Sequence, residues 1–149
     1  MLELILIALF IVALTVIIHA IGTHYWIRFA FRRYADHDGY IKPHKTIPAL
    51  IWTAVVLMLL HLVEVGLWAV TYRLLPENHL DTLEKAAYFS LVTFTTVGYG
   101  DITLTETKWR LLSGMEALDG ILLVGWSTAL LFMIFQRGWK DVVPHHHGK

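Results

Sequence analysis

The chain has 149 residues, with 12 Lys plus Arg against 12 Asp plus Glu, so its formal net charge is zero with His neutral. Hydrophobic residues reach 56 % and charged residues only 16 %, against roughly 45–50 % and a quarter in an average soluble domain; the chain is too apolar for disorder and has no basic excess to attract nucleic acid. It contains no Cys, which excludes disulfides, thiolate metal sites and a Cys nucleophile.

The apolar residues fall in three long runs. The first covers Leu2 to about Ile27 and carries one charge, Glu3. The second covers Ile47 to Tyr72, interrupted by His61 and Glu64, and the third covers Leu111 to Phe135, interrupted by Glu116 and Asp119. About 20 helical residues cross the roughly 30 Å of bilayer hydrocarbon, so each run predicts a transmembrane helix. A soluble bundle would need polar faces that the first run lacks. That run also has no basic leader and exceeds the usual apolar stretch of a signal peptide, so it reads as a retained helix.

Aromatic residues mark the expected interfaces: Tyr25 and Trp26, Trp68 and Tyr72, Trp109 and Trp139. Arg28, Arg32, Arg33, Lys42 and Lys45 follow the first run, and Arg137, Lys140 and Lys149 follow the third. The positive-inside rule then predicts a cytoplasmic first loop and C-terminus, with the N-terminus and residues 73–110 outside. The implied organisation is an N-terminal transmembrane helix (1–34), a cytoplasmic connection (35–46), a module of two spans and their outer loop (47–137) and a short tail (138–149). In the tail, His145, His146 and His147 form a run with weak metal-binding character.

The outer loop is not uniformly polar. Asp81 and Glu84 are spaced as a capping pair, and Ala86 to Thr95 supports about three helical turns. That length is too short to span a membrane and suits a re-entrant helix. It runs directly into Thr95-Thr96-Val97-Gly98-Tyr99-Gly100-Asp101, where two glycines around one Tyr make a poor helix and a poor strand. Such backbone is tolerated at membrane depth only when buried in protein or lining a watery path.

From Tyr88 to Asp101 the chain resembles the pore helix and filter of the potassium channel pore family, and Thr96-Val97-Gly98-Tyr99-Gly100 matches that family's filter motif without substitution. The likeness extends from about Ile47 to Gln136 and leaves the first helix outside. Together with the three apolar runs, it implies an all-α membrane protein with three transmembrane helices, a re-entrant pore helix and an extended selectivity filter, assembled as a homotetramer in a bacterial plasma (inner) membrane. It implies passive K+ conduction, with no enzymatic activity and no cofactor. K+ would bind the carbonyls of Thr96, Val97, Gly98 and Tyr99 and the Thr96 hydroxyl, with Gly98 and Gly100 permitting the backbone angles and Asp101 at the pore mouth.

The resemblance also implies a bend in the last helix. Counting from Asp101 places it at Gly120, with Gly125 second; one-turn steps then put Val124, Thr128 and Phe132 on the cavity face, where Phe132 or Leu131 would form an apolar gate. Several bacterial relatives carry a Glu four residues before the first filter Thr. Here that residue is Val92, so an acid–acid brace on Asp101 is not expected.

His61 and Glu64, and Glu116 and Asp119, are pairs one turn apart inside the second and third spans. Ionisable residues at that depth are costly and point to function. Three readings apply: a bracing network, for instance His61 with Glu116 or Asp119; a proton sensor; or the metal site of a membrane metalloprotein. His19 and His24 read as packing or interfacial residues. The rival functions are a weakly selective cation channel and a non-conducting regulatory subunit.

Overall fold

The computed structural model describes residues 2–76, 80–104 and 106–139; Lys149 and most of the tail, including the His145–His147 run, lie outside them. The chain is all-helical, with no strand among the described residues. Helix α1 spans Leu2–Tyr34, α2 Pro43–Leu74, α3 Leu83–Phe94 and α4 Arg110–Trp139, the last entered through a single 3₁₀ turn at Thr107–Trp109. Three of them, α1, α2 and α4, are long and apolar enough to cross a membrane.

Each long helix outruns its apolar core. Helix α1 continues past Ile27 to Tyr34, carrying Arg28, Arg32 and Arg33 in its final turns, where cations meet the negative end of the helix. Helix α2 begins four residues before the apolar run because Pro43 sits in its first turn, where its fixed φ is compatible with helix and its missing N–H costs nothing. Between them, the Asp36 carboxylate accepts from the N–H groups of Asp38 and Tyr40 at 3.1 and 2.9 Å, closing a turn with Gly39 at φ 77°. That turn docks on the end of α4. Ile41 N donates to the Arg137 carbonyl at 3.1 Å, the Arg137 guanidinium donates to the Gly39 carbonyl at 3.3 Å, and it lies 5.9 Å from the Phe31 and Tyr40 ring centres.

Helix α1 buries a stripe of small and polar residues, Ala8, Thr15, His19, Thr23 and Ala30, at spacings of four and seven that keep one face toward its neighbours. Its large residues Leu6, Phe10, Ile17 and Ile21 are exposed instead. This is membrane-protein logic: lipid is as apolar as Leu, so close approach and hydrogen bonds, not oil, hold the helices together. The first run does carry a polar face, against the expectation from its composition. Helix α1 packs on both α2 and α4.

The core divides at two levels. One cluster gathers Trp68, Tyr72, Phe89, Phe94, Leu112 and Leu123 around α3. The other gathers Ile41, Ala49, Leu57, Leu130 and Ile134 toward the end where the first loop and Arg137 meet.

Helix α3 has 12 residues, about 18 Å at 1.5 Å per residue, so it cannot cross the bilayer. Its N-cap is Thr82, whose hydroxyl accepts from Lys85 N at 3.2 Å. Asp81, expected as the cap, instead accepts from Lys85 Nζ at 2.7 Å, and that bond holds its carboxyl below the usual range. Helix α4 runs without a break through Gly120 and Gly125.

Candidate functional site

The segment after α3 turns back on the helix that precedes it. Thr95 N donates to the Leu91 carbonyl, Thr96 N to Thr93, and both Val97 N and Gly98 N to Val92, at 3.1, 2.9, 3.0 and 3.3 Å. The last carbonyls of α3 are thereby satisfied by the incoming chain, which fixes where that chain starts. Beyond this point the backbone alternates: Thr96, Gly98 and Gly100 have φ of 59°, 58° and 80°. Placing every second residue in the left-handed region turns successive carbonyls to the same side. Glycine adopts it freely, whereas β-branched Thr96 is an outlier, at a cost of roughly 1–2 kcal/mol. Sequence reasoning assigned that role to the glycines and missed Thr96. Among the described residues, no N–H donates to the carbonyls of Thr96, Val97, Gly98 or Tyr99. Val97 and Tyr99 are 52 % and 74 % exposed in the single chain. The row of carbonyls unpaired among the described residues thus lies on an exposed stretch of the single chain, open to whatever surrounds it.

The far end of the row is tied down by a residue the sequence did not single out. The Tyr88 hydroxyl, on α3, donates to Asp101 Oδ2 at 2.7 Å. This bond holds the Asp101 carboxyl below its ordinary range and pushes the Tyr88 phenol up. It does from Tyr88 what an acid at Val92 does not do here. The legible signal was a Tyr one turn before Val92 on the same short helix.

Behind the segment, the buried acids divide into two further clusters. Glu116 accepts from the Tyr72 hydroxyl of α2 at 2.7 Å and contacts Ser90 Oγ of α3 at 2.5 Å; Ser90 also meets the Val65 carbonyl at 3.0 Å. One carboxyl thus joins α2, α3 and α4. Asp119 Oδ2 accepts from Thr15 of α1 at 2.8 Å and from Trp68 Nε1 of α2 at 3.0 Å, while its Oδ1 is buried with no hydrogen-bond partner among the described residues.

His61 meets neither Glu116 nor Asp119. Its Nδ1 lies 2.8 Å from Glu64 Oε2, and the other oxygen of Glu64 takes His19 Nδ1 at the same distance. The two imidazoles stack with centres 5.3 Å apart, and both Nε2 atoms face Ser127 Oγ, at 3.3 Å from His19 and 3.0 Å from His61. The expectation that His61 braces Glu116 or Asp119 is therefore corrected. One helical turn separates His61 from Glu64, which favours that pair, and the remaining carboxylate oxygen is met by His19 of α1. His19, read as a packing residue, is fully buried and belongs to this cluster, whereas His24 is exposed. The polar repeat Thr15, His19, Thr23 was the signal that could have found it. His61 also borders a cavity of about 330 Å³ shared with Phe94, Thr95, Val124, Ser127 and Thr128.

Gly120 is a contact point. A Cβ built there would lie 1.9 Å from the Phe94 carbonyl oxygen, 2.8 Å from its carbon and 3.1 Å from its Cα. The absence of a side chain lets α4 touch the end of α3. Val124, Thr128 and Phe132, on one face of α4, are exposed in the single chain. Gly125 has nothing within 4 Å of such a Cβ.

Two long apolar helices flanking a short helix and an irregular segment, with α1 as a third long apolar helix, define a multi-pass membrane protein. Comparison with protein families matches residues 58–137, more than half the chain, to the family described as "Ion channel"; the chain belongs to that family. The match spans the second half of α2, the short helix, the irregular segment and α4 up to Arg137, and leaves α1 outside it. No curated protein and no solved structure matches the chain.

Proposed function

We propose that four copies of this chain form a K+-selective channel that conducts passively across the cell membrane. The observation that carries this reading is the row of carbonyls at Thr96, Val97, Gly98 and Tyr99, without N–H partners among the described residues, on a backbone with φ positive at Thr96, Gly98 and Gly100. A dehydrated K+ ion needs several oxygens in place of its water, and one chain supplies one side of such a cage. Four chains close it, and the exposed Val97 and Tyr99 side chains then gain neighbours. Asp101, held by Tyr88, stands at the mouth, and Val124, Thr128 and Phe132 face the cavity, where Phe132 or Leu131 forms the apolar constriction. Arg32 and Arg33 close α1, Lys42 precedes α2, Lys45 donates to the Arg33 carbonyl and Arg137 at the end of α4 bonds the turn between α1 and α2, so these cations share one end of the helices, which supports a cytoplasmic first loop and C-terminus.

The test is ion flux through the purified protein in liposomes, with K+ against Na+ and with Ba2+ added. K+-selective, Ba2+-blocked flux is expected. Equal K+ and Na+ flux would make it a weakly selective cation channel. No flux from a demonstrated tetramer, with Gly98→Ala behaving like the parent chain in every assay, would overturn the filter and favour a non-conducting subunit.

A further inference from the structure

We propose that His19, His61 and Glu64 form a binding site for a divalent transition-metal ion of the zinc type, which fastens α1 to the helices around the pore loop. The proposal is independent of which ion, if any, the chain conducts.

The three side chains each offer one ligand atom, and these atoms lie within 4.8 Å of one another. They come from two helices, α1 and α2, and both Nδ1 atoms converge on one carboxylate at 2.8 Å. Zinc bonds to imidazole nitrogen and carboxylate oxygen at about 2.0–2.2 Å, which sets tetrahedral ligand atoms about 3.3 Å apart. The two Nδ1–carboxylate distances therefore need to widen by only about half an ångström, and the remaining separation, within 4.8 Å, to settle near the same value, as the Nδ1 protons leave and a cation takes their place. Imidazole with carboxylate is a donor set for zinc and its neighbours, not for K+ or Mg2+, so abundant cations do not compete.

The surroundings fit the loaded state. With Nδ1 on a metal, each ring carries its hydrogen on Nε2, and both Nε2 atoms already face Ser127 Oγ. A hydroxyl oxygen has two lone pairs and accepts both, the kind of outer contact that fixes ligand orientation. In the metal-free cluster the single Ser127 hydrogen serves only one of the two rings. Glu64 supplies one negative charge. Asp119 lies one turn along α1, through Thr15, and its Oδ1 has no hydrogen-bond partner among the described residues. No Lys or Arg among the described residues bonds to any of the four side chains. His61 is 16 % exposed, at the wall of the 330 Å³ cavity, so the cluster is not sealed on that side.

The experiment uses the full chain in detergent with His145, His146 and His147 each changed to Asn, stripped with a chelator and titrated with ZnCl2 in excess KCl. Saturable binding of one zinc per chain is expected. His19→Gln and His61→Gln should each weaken it by about tenfold or more, and His24→Gln should leave it unchanged. X-ray absorption at the zinc edge, on the chain with native His19 and His61, should show two imidazole nitrogens in the first shell, so the test stands even if a substitution prevents assembly. Binding well below one zinc per chain, equal affinity in the His19 and His61 variants, or a first shell without imidazole overturns the site.

Discussion

Replacing Gly120 with Ala places one methyl group against backbone. The new Cβ would start 1.9 Å from the Phe94 carbonyl oxygen and 2.8 Å from its carbon, where ordinary contacts are well above 3 Å. The obstacle cannot rotate away, because it is the last residue of α3, whose neighbours Thr95 to Gly98 are bonded back to the same helix. Helices α3 and α4 must separate by more than an ångström, or one must deform. Overpacking of this kind costs typically about 1–3 kcal/mol, against which Ala returns up to about 1 kcal/mol of helix propensity over Gly. We expect net destabilisation of up to about 2 kcal/mol, read as a lower thermal midpoint of the purified protein, together with reduced ion flux. Gly66→Ala is the matched control. It lies in α2 with nothing within 4 Å of the new Cβ, so only the propensity gain operates and the midpoint should hold or rise. If Gly120→Ala keeps its midpoint while altering only the open–closed equilibrium, the glycine is a hinge and the packing account fails.

Gly98→Ala introduces a side chain at φ 58°, strained by roughly 1–2 kcal/mol, and should abolish K+ selectivity in the liposome assay; intact selectivity would refute the backbone assignment. Tyr88→Phe removes the bond to Asp101 and should shorten the lifetime of conducting openings in single-channel records, with little change in conductance. The folded Asp101 pKa is depressed, so the stabilisation is present above the ordinary Asp value of about 3.9 and is lost only as pH falls through the lower folded value. The Tyr88 phenol is pushed up, so the bond also outlasts pH of about 10, and the parent channel's opening lifetimes should be insensitive to this pair between those limits. Tyr72→Phe leaves Glu116 with Ser90 as its only partner among the contacts described, a loss of about 1–3 kcal/mol that chemical denaturation should detect. An unchanged midpoint would show that Glu116 is not holding α2 to α4.

The irregular segment after α3 and the three long apolar helices were legible for different reasons. A span is a matter of length: every backbone group in lipid must bond within its own helix, so about 20 apolar residues announce themselves without reference to any neighbour. Thr96 to Gly100 was legible because its conformation is written locally, in glycines at alternate positions after a helix too short to cross. Even there the positive φ of Thr96 escaped, since nothing in a Thr predicts it.

What the tertiary structure alone decided is the pairing of the buried polar groups. Glu64 takes His61 from its own helix, one turn away, but also His19, 45 residues earlier. Asp119 takes Thr15 across 104 residues, and Glu116 reaches Tyr72 and Ser90 rather than a histidine. The sequence by itself determined that these acids stand inside the spans and need partners, because a buried charge or dipole cannot go unpaired cheaply. It did not determine which partners, because hydrogen bonds reach only about 3 Å and the distances between helices are set by packing. Small residues such as Gly120 and the Thr15–His19–Thr23 stripe govern that packing, and their effect exists only once two helices have met.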